Sequence, residues 1–145
     1  MIQRTSSGLN NVSDVLHRTD YIVNHENGKA LEPFGVTMYQ AKALIYIADH
    51  EHEMAVNQRA IERYTRLSNP GVTKLVGALV RMGYLERTQD PSDARSYILK
   101  TTPEGRAQSE VFRRVVTETD DRLTAALTSK EKDTLIHLLN KIIGR

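Results

Sequence analysis

The sequence predicts an all-α fold with one small β-hairpin, an α+β variant in which helices far outnumber strands. Three observations predict it. Apolar residues recur at helical spacing in six segments. Five of those segments open on a capping side chain: Thr37, Asn57, Ser68, Thr102 and Thr128. The period changes once, after Gly83, where Tyr84–Thr88 and Tyr97–Thr101 read as strands around a polar turn. The order α-α-α-α-β-β-α-α is that of a winged helix-turn-helix framed by long terminal helices.

Each element has its own reason. Leu9, Val12, Leu16 and Ile22/Val23 form a helical stripe over Leu9–Asn24, and Asn27-Gly28-Lys29 is expected to break it. Glu32-Pro33-Phe34-Gly35 reads as a turn. Thr37 then caps the second helix, Gln40 completes a capping box, and Ala41, Leu44/Ile45 and Ala48 carry the stripe to about Asp49. Asp49–Glu53 is a polar loop. Asn57 caps a short third helix that runs to about Arg66, with Val56 and Ile61 at the hydrophobic-staple spacing.

Ser68-Asn69-Pro70 opens the fourth helix, whose stripe is Val72, Leu75/Val76 and Leu79/Val80, and Gly83 stops it. Between the strands, Gln89–Ser96 is a polar hairpin tip with both charge signs. Thr102-Pro103-Glu104 caps a long fifth helix with Val111, Val115/Val116, Leu123 and Ala126/Leu127 as its stripe. Thr128-Ser129-Lys130-Glu131 is a capping box for a last helix bearing Leu135, Leu138/Leu139 and Ile142. With no repeat, low-complexity tract or linker, the expectation is one domain over 1–145. Its winged helix spans about 37–101, and its dimerisation helices about 6–26 and 103–143.

Composition excludes more than it asserts. The chain has 145 residues, 39% hydrophobic and 26% charged, without Cys or Trp. That length is enough for one core. Zero cysteines exclude disulfides, thiol nucleophiles, thiol redox sensing and Cys-based zinc sites. No apolar run nears the ~20 residues that span a membrane. Met1–Leu9 is polar, unlike a signal peptide, so a cytoplasmic location is expected. There is no G-x-S-x-G elbow, phosphate loop, dinucleotide glycine pattern or H-E-x-x-H, and adjacent Asp120 and Asp121 point to different faces. No enzyme and no cofactor are expected.

Charge is distributed unevenly. The net charge is +2, yet Met54–Lys100 carries eight basic residues against four acids, a local excess of +4 that leaves −2 elsewhere. A basic middle between mildly acidic ends is the footprint of a nucleic-acid-binding module, although a solvated helix face looks similar. On the fourth helix Asn69, Thr73, Lys74, Gly77 and Arg81 lie opposite the apolar stripe. A helix fits the major groove of duplex DNA, where Asn pairs with adenine, Thr meets the thymine methyl, and Lys takes guanine or phosphate. The free N–H groups beyond Ser68 attract phosphate. The alternative is an ordinary amphipathic surface helix.

Gly77 either lets the backbone approach DNA or is simply tolerated, at a cost of about 1 kcal/mol relative to Ala. Arg95 near the hairpin tip, with Arg87 below, is placed to enter the minor groove, and Asp93 is expected to fix the Arg95 guanidinium plane. The plainer reading is a solvated turn with an incidental ion pair.

These residues carry a family resemblance. Ser68-Asn69-Pro70-Gly71-Val72-Thr73-Lys74-Leu75-Val76, Leu79, Gly83-Tyr84-Leu85, Arg87, Asp93-Ala94-Arg95 and Thr102-Pro103-Glu104-Gly105 together resemble the MarR family of bacterial transcriptional regulators. The likeness runs from about Val36 to Ile143. It implies a homodimer made by the first, fifth and sixth helices, binding a double-stranded operator and commonly relieved by a small ligand. Gly71, Gly77 and Thr101 depart from the usual Thr or Ser, polar residue and Leu, which bears on base preference and not on architecture. Gln58, Ile61, Glu62 and Tyr64 look like a subset whose third helix packs an aromatic ring in its core, which makes Tyr64 structural.

The resemblance also places an effector pocket between the dimer-forming helices and the DNA-binding lobe. His17, Tyr21 and Tyr46 are the candidates there for a small aromatic ligand, against ordinary packing. Asp49-His50-Glu51-His52-Glu53 is the one segment that would attract a divalent ion. It lacks the i, i+4 His pair of a helical zinc site, so no metal site is expected. A metal-responsive regulator of the same fold remains the alternative, and a winged-helix protein–protein module the remote one. The expected function is that of a homodimeric repressor of a pseudo-palindromic operator relieved by a small aromatic ligand.

Overall fold

Side-chain caps start every α-helix of the computed structural model, which describes residues 10–144. The helices are α1 (Val12–Leu31), α2 (Met38–His50), α3 (Gln58–Thr65), α4 (Asn69–Arg81), α5 (Pro103–Leu123) and α6 (Ser129–Ile143). Asn57, Ser68 and Thr102 accept from the backbone N–H three residues on, and Thr37 and Thr128 make complete capping boxes with Gln40 and Glu131. A sixth cap, Asn11 accepting from Asp14 N–H at 2.9 Å, starts α1. Leu9, the first residue of the expected stripe, lies outside the described residues.

The expected break at Asn27-Gly28-Lys29 does not occur. Helix α1 continues to Leu31, which is fully buried, and a 3-10 turn at Glu32–Phe34 follows. Burial of Leu31 outweighs the weak helix propensity of Asn and Gly. Asn27 stays helical by donating its Nδ2 to the Val23 carbonyl at 2.9 Å. Helix α5 ends earlier than its stripe suggests, at Leu123. The Thr128 capping box begins α6 so soon after that Thr124–Leu127 can only turn.

The hairpin is longer than expected, and it gains a third strand. Strands β1 (Val56–Asn57), β2 (Leu85–Asp90) and β3 (Asp93–Thr101) form an antiparallel sheet in the order β1-β3-β2. Val56 pairs with Leu99, so the residue read as a staple is also a strand residue, and both are buried. The core gathers Leu44 and Ile47 of α2, Ile61 of α3, Val72, Val76 and Leu79 of α4, Leu85, Leu99 and Phe112. Each large side chain buried there is worth roughly 1.5–3 kcal/mol.

Phe112 anchors α5 to this lobe, meeting Phe34 and Tyr84 edge-on at ring separations of 6.0 and 6.2 Å. The Thr102-Pro103-Glu104-Gly105 sequence makes the joint between wing and α5. The Thr102 hydroxyl donates to the Gly83 carbonyl at 2.6 Å and accepts from Gly105 N–H at 2.9 Å. Gly105 is required there, because a Cβ would stand 1.9 Å from the Tyr84 carbonyl oxygen. Helix α6 buries none of its residues.

Candidate nucleic-acid interface

The helix-turn-helix is made by α3, a tight turn in which Arg66 adopts φ 61°, and α4. Asn69 and Thr73 stand one turn apart on α4, both exposed. Arg87 on β2 and Arg95 on β3 face them across a hollow of about 660 Å³, which Gln58 and Arg59 of α3 also line. Five residues expected to meet DNA therefore share this hollow: Asn69, Thr73, Arg87, Asp93 and Arg95.

The other four sit along α4. Ser68 spends its hydroxyl as the cap, accepting from Gly71 N–H at 3.3 Å. Lys74 and Arg81 are exposed. The Arg81 guanidinium folds back over Gly77, where a Cβ would lie 3.3 Å from Nη1.

The wing corrects two expectations. Pro91 and Ser92 alone form the turn, and most of the presumed tip is strand, because Asp90 caps the turn from within. Its Oδ1 accepts from Ser92 Oγ at 2.7 Å and Ser92 N at 2.9 Å, which holds the carboxyl below its usual value. Asp93 does not grip the Arg95 guanidinium. Its Oδ1 accepts from the Arg95 backbone N–H at 3.0 Å, so it shapes the strand and leaves the guanidinium free of it.

Two α3 residues at this face escaped the sequence reading. Glu62 accepts from Asn69 Nδ2 at 2.7 Å, and Gln58 Nε2 donates to Thr73 Oγ1 at 2.7 Å. The signal was present, since Gln58 and Glu62 have the same i, i+4 spacing as Thr73 and Asn69.

The expected effector trio does not converge within the chain. Tyr21 is 70% exposed and stacks on His25 at 6.0 Å, and His17 is also exposed. Tyr46 stacks instead on His50 at 4.1 Å and Tyr64 at 4.6 Å. Tyr64 is likewise not a core ring. It is 44% exposed, and burial, Asp49 and Tyr46 together push its phenol up. Tyr46, Ala60, Arg63, Tyr64 and Arg66 line a separate hollow of about 270 Å³.

The acidic segment after α2 is engaged with protein partners. Asp49 pairs with Arg113, and Glu51 binds Thr101 and Arg106. Among the described residues, no three His, Cys, Asp or Glu are grouped to hold a metal, and no helix is long and apolar enough to cross a membrane.

Comparison with known proteins agrees with this geometry. Residues 34–96, the end of the α1–α2 turn through most of the wing, match the model of the MarR family. Over 145 residues the chain is 28% identical to the multiple antibiotic resistance protein MarR of Salmonella typhimurium, covering 97% of this chain and 99% of that protein. It is 29% identical over 116 residues to the HTH-type transcriptional regulator BilQ of Clostridium symbiosum, covering 77% and 76% of the two chains.

Among solved structures, a MarR variant from E. coli complexed with operator DNA superposes with TM-score 0.79 at 25% identity, covering 90% of this chain and 92% of that one. The S. aureus MepR–DNA complex shares the fold, with TM-score 0.82 at 22% identity over 92% and 97%. With its helix-turn-helix, its wing and a likeness that runs nearly end to end, the chain is similar to the MarR family of DNA-binding transcriptional regulators.

Proposed function

We propose that this protein is a cytoplasmic homodimeric repressor that binds a pseudo-palindromic operator and is released by a small aromatic ligand. The observation that carries the reading is the shared face of Asn69 and Thr73 on α4 with Arg87 and Arg95 on the wing. It offers base-reading groups for a major groove beside cations for phosphates and the adjoining minor groove. The operator complex of the E. coli relative supports duplex DNA as the partner.

Dimerisation is supported by what α1 and α6 leave uncovered. Val12, Val15 and Ile22 of α1, and Leu135, Ile136, Leu138, Ile142 and Ile143 of α6, are 42–63% exposed. An apolar surface of this extent on two terminal helices calls for a cover, and a second copy supplies the same face in return. Two-fold symmetry then dictates two half-sites about 34–36 Å apart, one turn of duplex. An occupied operator excludes polymerase from the same stretch, which makes repression the direct consequence.

Release is assigned to the Tyr46–Tyr64 hollow. Stacked rings with Arg63 and Arg66 at the rim suit an aromatic acid, and the site lies on α2 and α3, the helices that support the reading helix. A ligand preferring the unbound arrangement by 1–3 kcal/mol weakens operator binding about 5- to 150-fold, and DNA weakens the ligand equally. Selection of bound duplexes from a random pool tests the reading. It predicts an enriched sequence with two-fold symmetry, and enrichment of an asymmetric sequence would refute the dimeric operator.

A further inference from the structure

Gln58 and Glu62 stand one turn apart on α3, and the side chains they hold, Thr73 and Asn69, stand one turn apart on α4. Both held residues face the hollow between α4 and the wing. Hydrogen-bond inventory fixes what each has left to offer. A carboxylate only accepts, so Glu62 holds the Asn69 amide with its nitrogen inward; the flipped amide would set two acceptors against each other. Nδ2 retains a second hydrogen beside Oδ1. That O/N–H edge is the one that pairs with N6 and N7 of adenine.

Thr73 is left with less. Its hydroxyl hydrogen goes to the Asn69 carbonyl at 2.9 Å, and its oxygen accepts from Gln58 at 2.7 Å. With its hydrogen spent and one lone pair taken, it still presents a single lone pair and its methyl, and the methyl suits the C5-methyl of thymine.

We propose that Glu62 and Gln58 determine specificity as positioning residues: Glu62 orients Asn69 to read adenine, and Gln58 makes Thr73 a methyl reader for thymine. This rests on α4 being the DNA-reading helix. A carboxylate beside a polyanion weakens attraction, so Glu62 exchanges affinity for orientation. That gives its removal an effect of opposite sign on two observables, which a merely structural residue would not produce.

The test is duplex selection followed by fluorescence anisotropy on single-base variants of the enriched site, for parent, Glu62→Ala, Glu62→Gln, Asn69→Ala and the Glu62→Ala/Asn69→Ala pair. Asn69→Ala should cost about five- to a hundredfold in discrimination at one adenine per half-site. Glu62→Ala should cost about two- to tenfold at that same position, as an oriented side chain regains its freedom. It should also bind random duplex at least as tightly as the parent. Glu62→Gln, which keeps an acceptor, should fall between, and in the Asn69→Ala background Glu62→Ala should change nothing at that base pair. Gln58→Ala should relax the thymine preference alone. An unchanged adenine preference in Glu62→Ala, or an equal loss at every position, would overturn the proposal. A parent that enriches no sequence would overturn the DNA-reading assignment together with it.

Discussion

Thr101 at the foot of the wing binds Glu51 at the end of α2 twice, through its backbone N–H at 2.8 Å and its hydroxyl at 2.7 Å. The Glu51 side chain is 5% exposed and also accepts from Arg106 Nη2 on α5 at 2.9 Å. One carboxylate thus ties together the wing, the α2 C-terminus and helix α5. At Thr101 the sequence departs from the Leu usual in the family it resembles, and the departure has a use here.

Thr101→Val should destabilise the fold by about 1–3 kcal/mol, because a buried carboxylate loses its hydroxyl partner. Removing both polar groups together, as Glu51→Met with Thr101→Leu, should recover most of that loss. Chemical denaturation of the three chains checks this.

Glu51 also predicts the acid side of the stability profile. Burial pushes its carboxyl up, but the Thr101 N–H and hydroxyl and the Arg106 guanidinium outweigh burial and hold it below its usual value. A lowered folded value contributes stability in full above about pH 4.5, and the contribution is lost as pH falls through the folded value. Denaturation midpoints of the parent should fall more steeply below that pH than those of the Glu51→Met/Thr101→Leu chain.

How legible this molecule was in its sequence depended on range. Caps such as Thr37 and Thr128 act within three residues, so all five expected caps were found where the hydroxyl or amide could be read beside its N–H. The Leu31 end of α1 was missed because its reason is burial against distant elements. β1 was missed because a two-residue strand has no period to detect. At the candidate interface the residue types on α4 were readable. Gln58 and Glu62 carried a matching i, i+4 spacing, but which residue meets which across two helices is set by how the helices cross. Nor could the sequence show the ring contacts within one chain, where Tyr21 stacks on His25 and Tyr46 on His50 and Tyr64.

Gly77 and Arg81 offer a prediction of mixed sign. Gly77→Ala should raise stability by about 0.5–1 kcal/mol through helix propensity. The new methyl meets the flexible end of Arg81 at 3.3 Å and displaces the guanidinium. Operator affinity should therefore fall although the chain is more stable, which thermal unfolding and anisotropy on one preparation would show.

Leu138 separates dimerisation from folding. It is 49% exposed, and α6 buries none of its residues, so Leu138→Glu spares the packing of a single chain. Sedimentation should find a monomer with reduced operator binding. A dimer of unchanged stability would mean that the interface lies elsewhere.

Lys74→Ala and Arg95→Ala should differ in kind. Loss of Lys74 should weaken binding to all sequences and lower the salt slope by about one unit if it contacts one phosphate. Loss of Arg95 should cost about 1–3 kcal/mol and act most strongly on A·T-rich flanks, where the minor groove is narrow. Titrations at several salt concentrations against two flank sequences distinguish them.

Sequence-specific duplex binding by this face is the property on which operator recognition depends. Fluorescence anisotropy should compare the selected duplex with a scrambled duplex of identical length and composition, at about 150 mM salt. The predicted result is two chains per selected duplex and an affinity at least about a thousandfold above that for the scrambled one. Equal affinity for the two duplexes would contradict it.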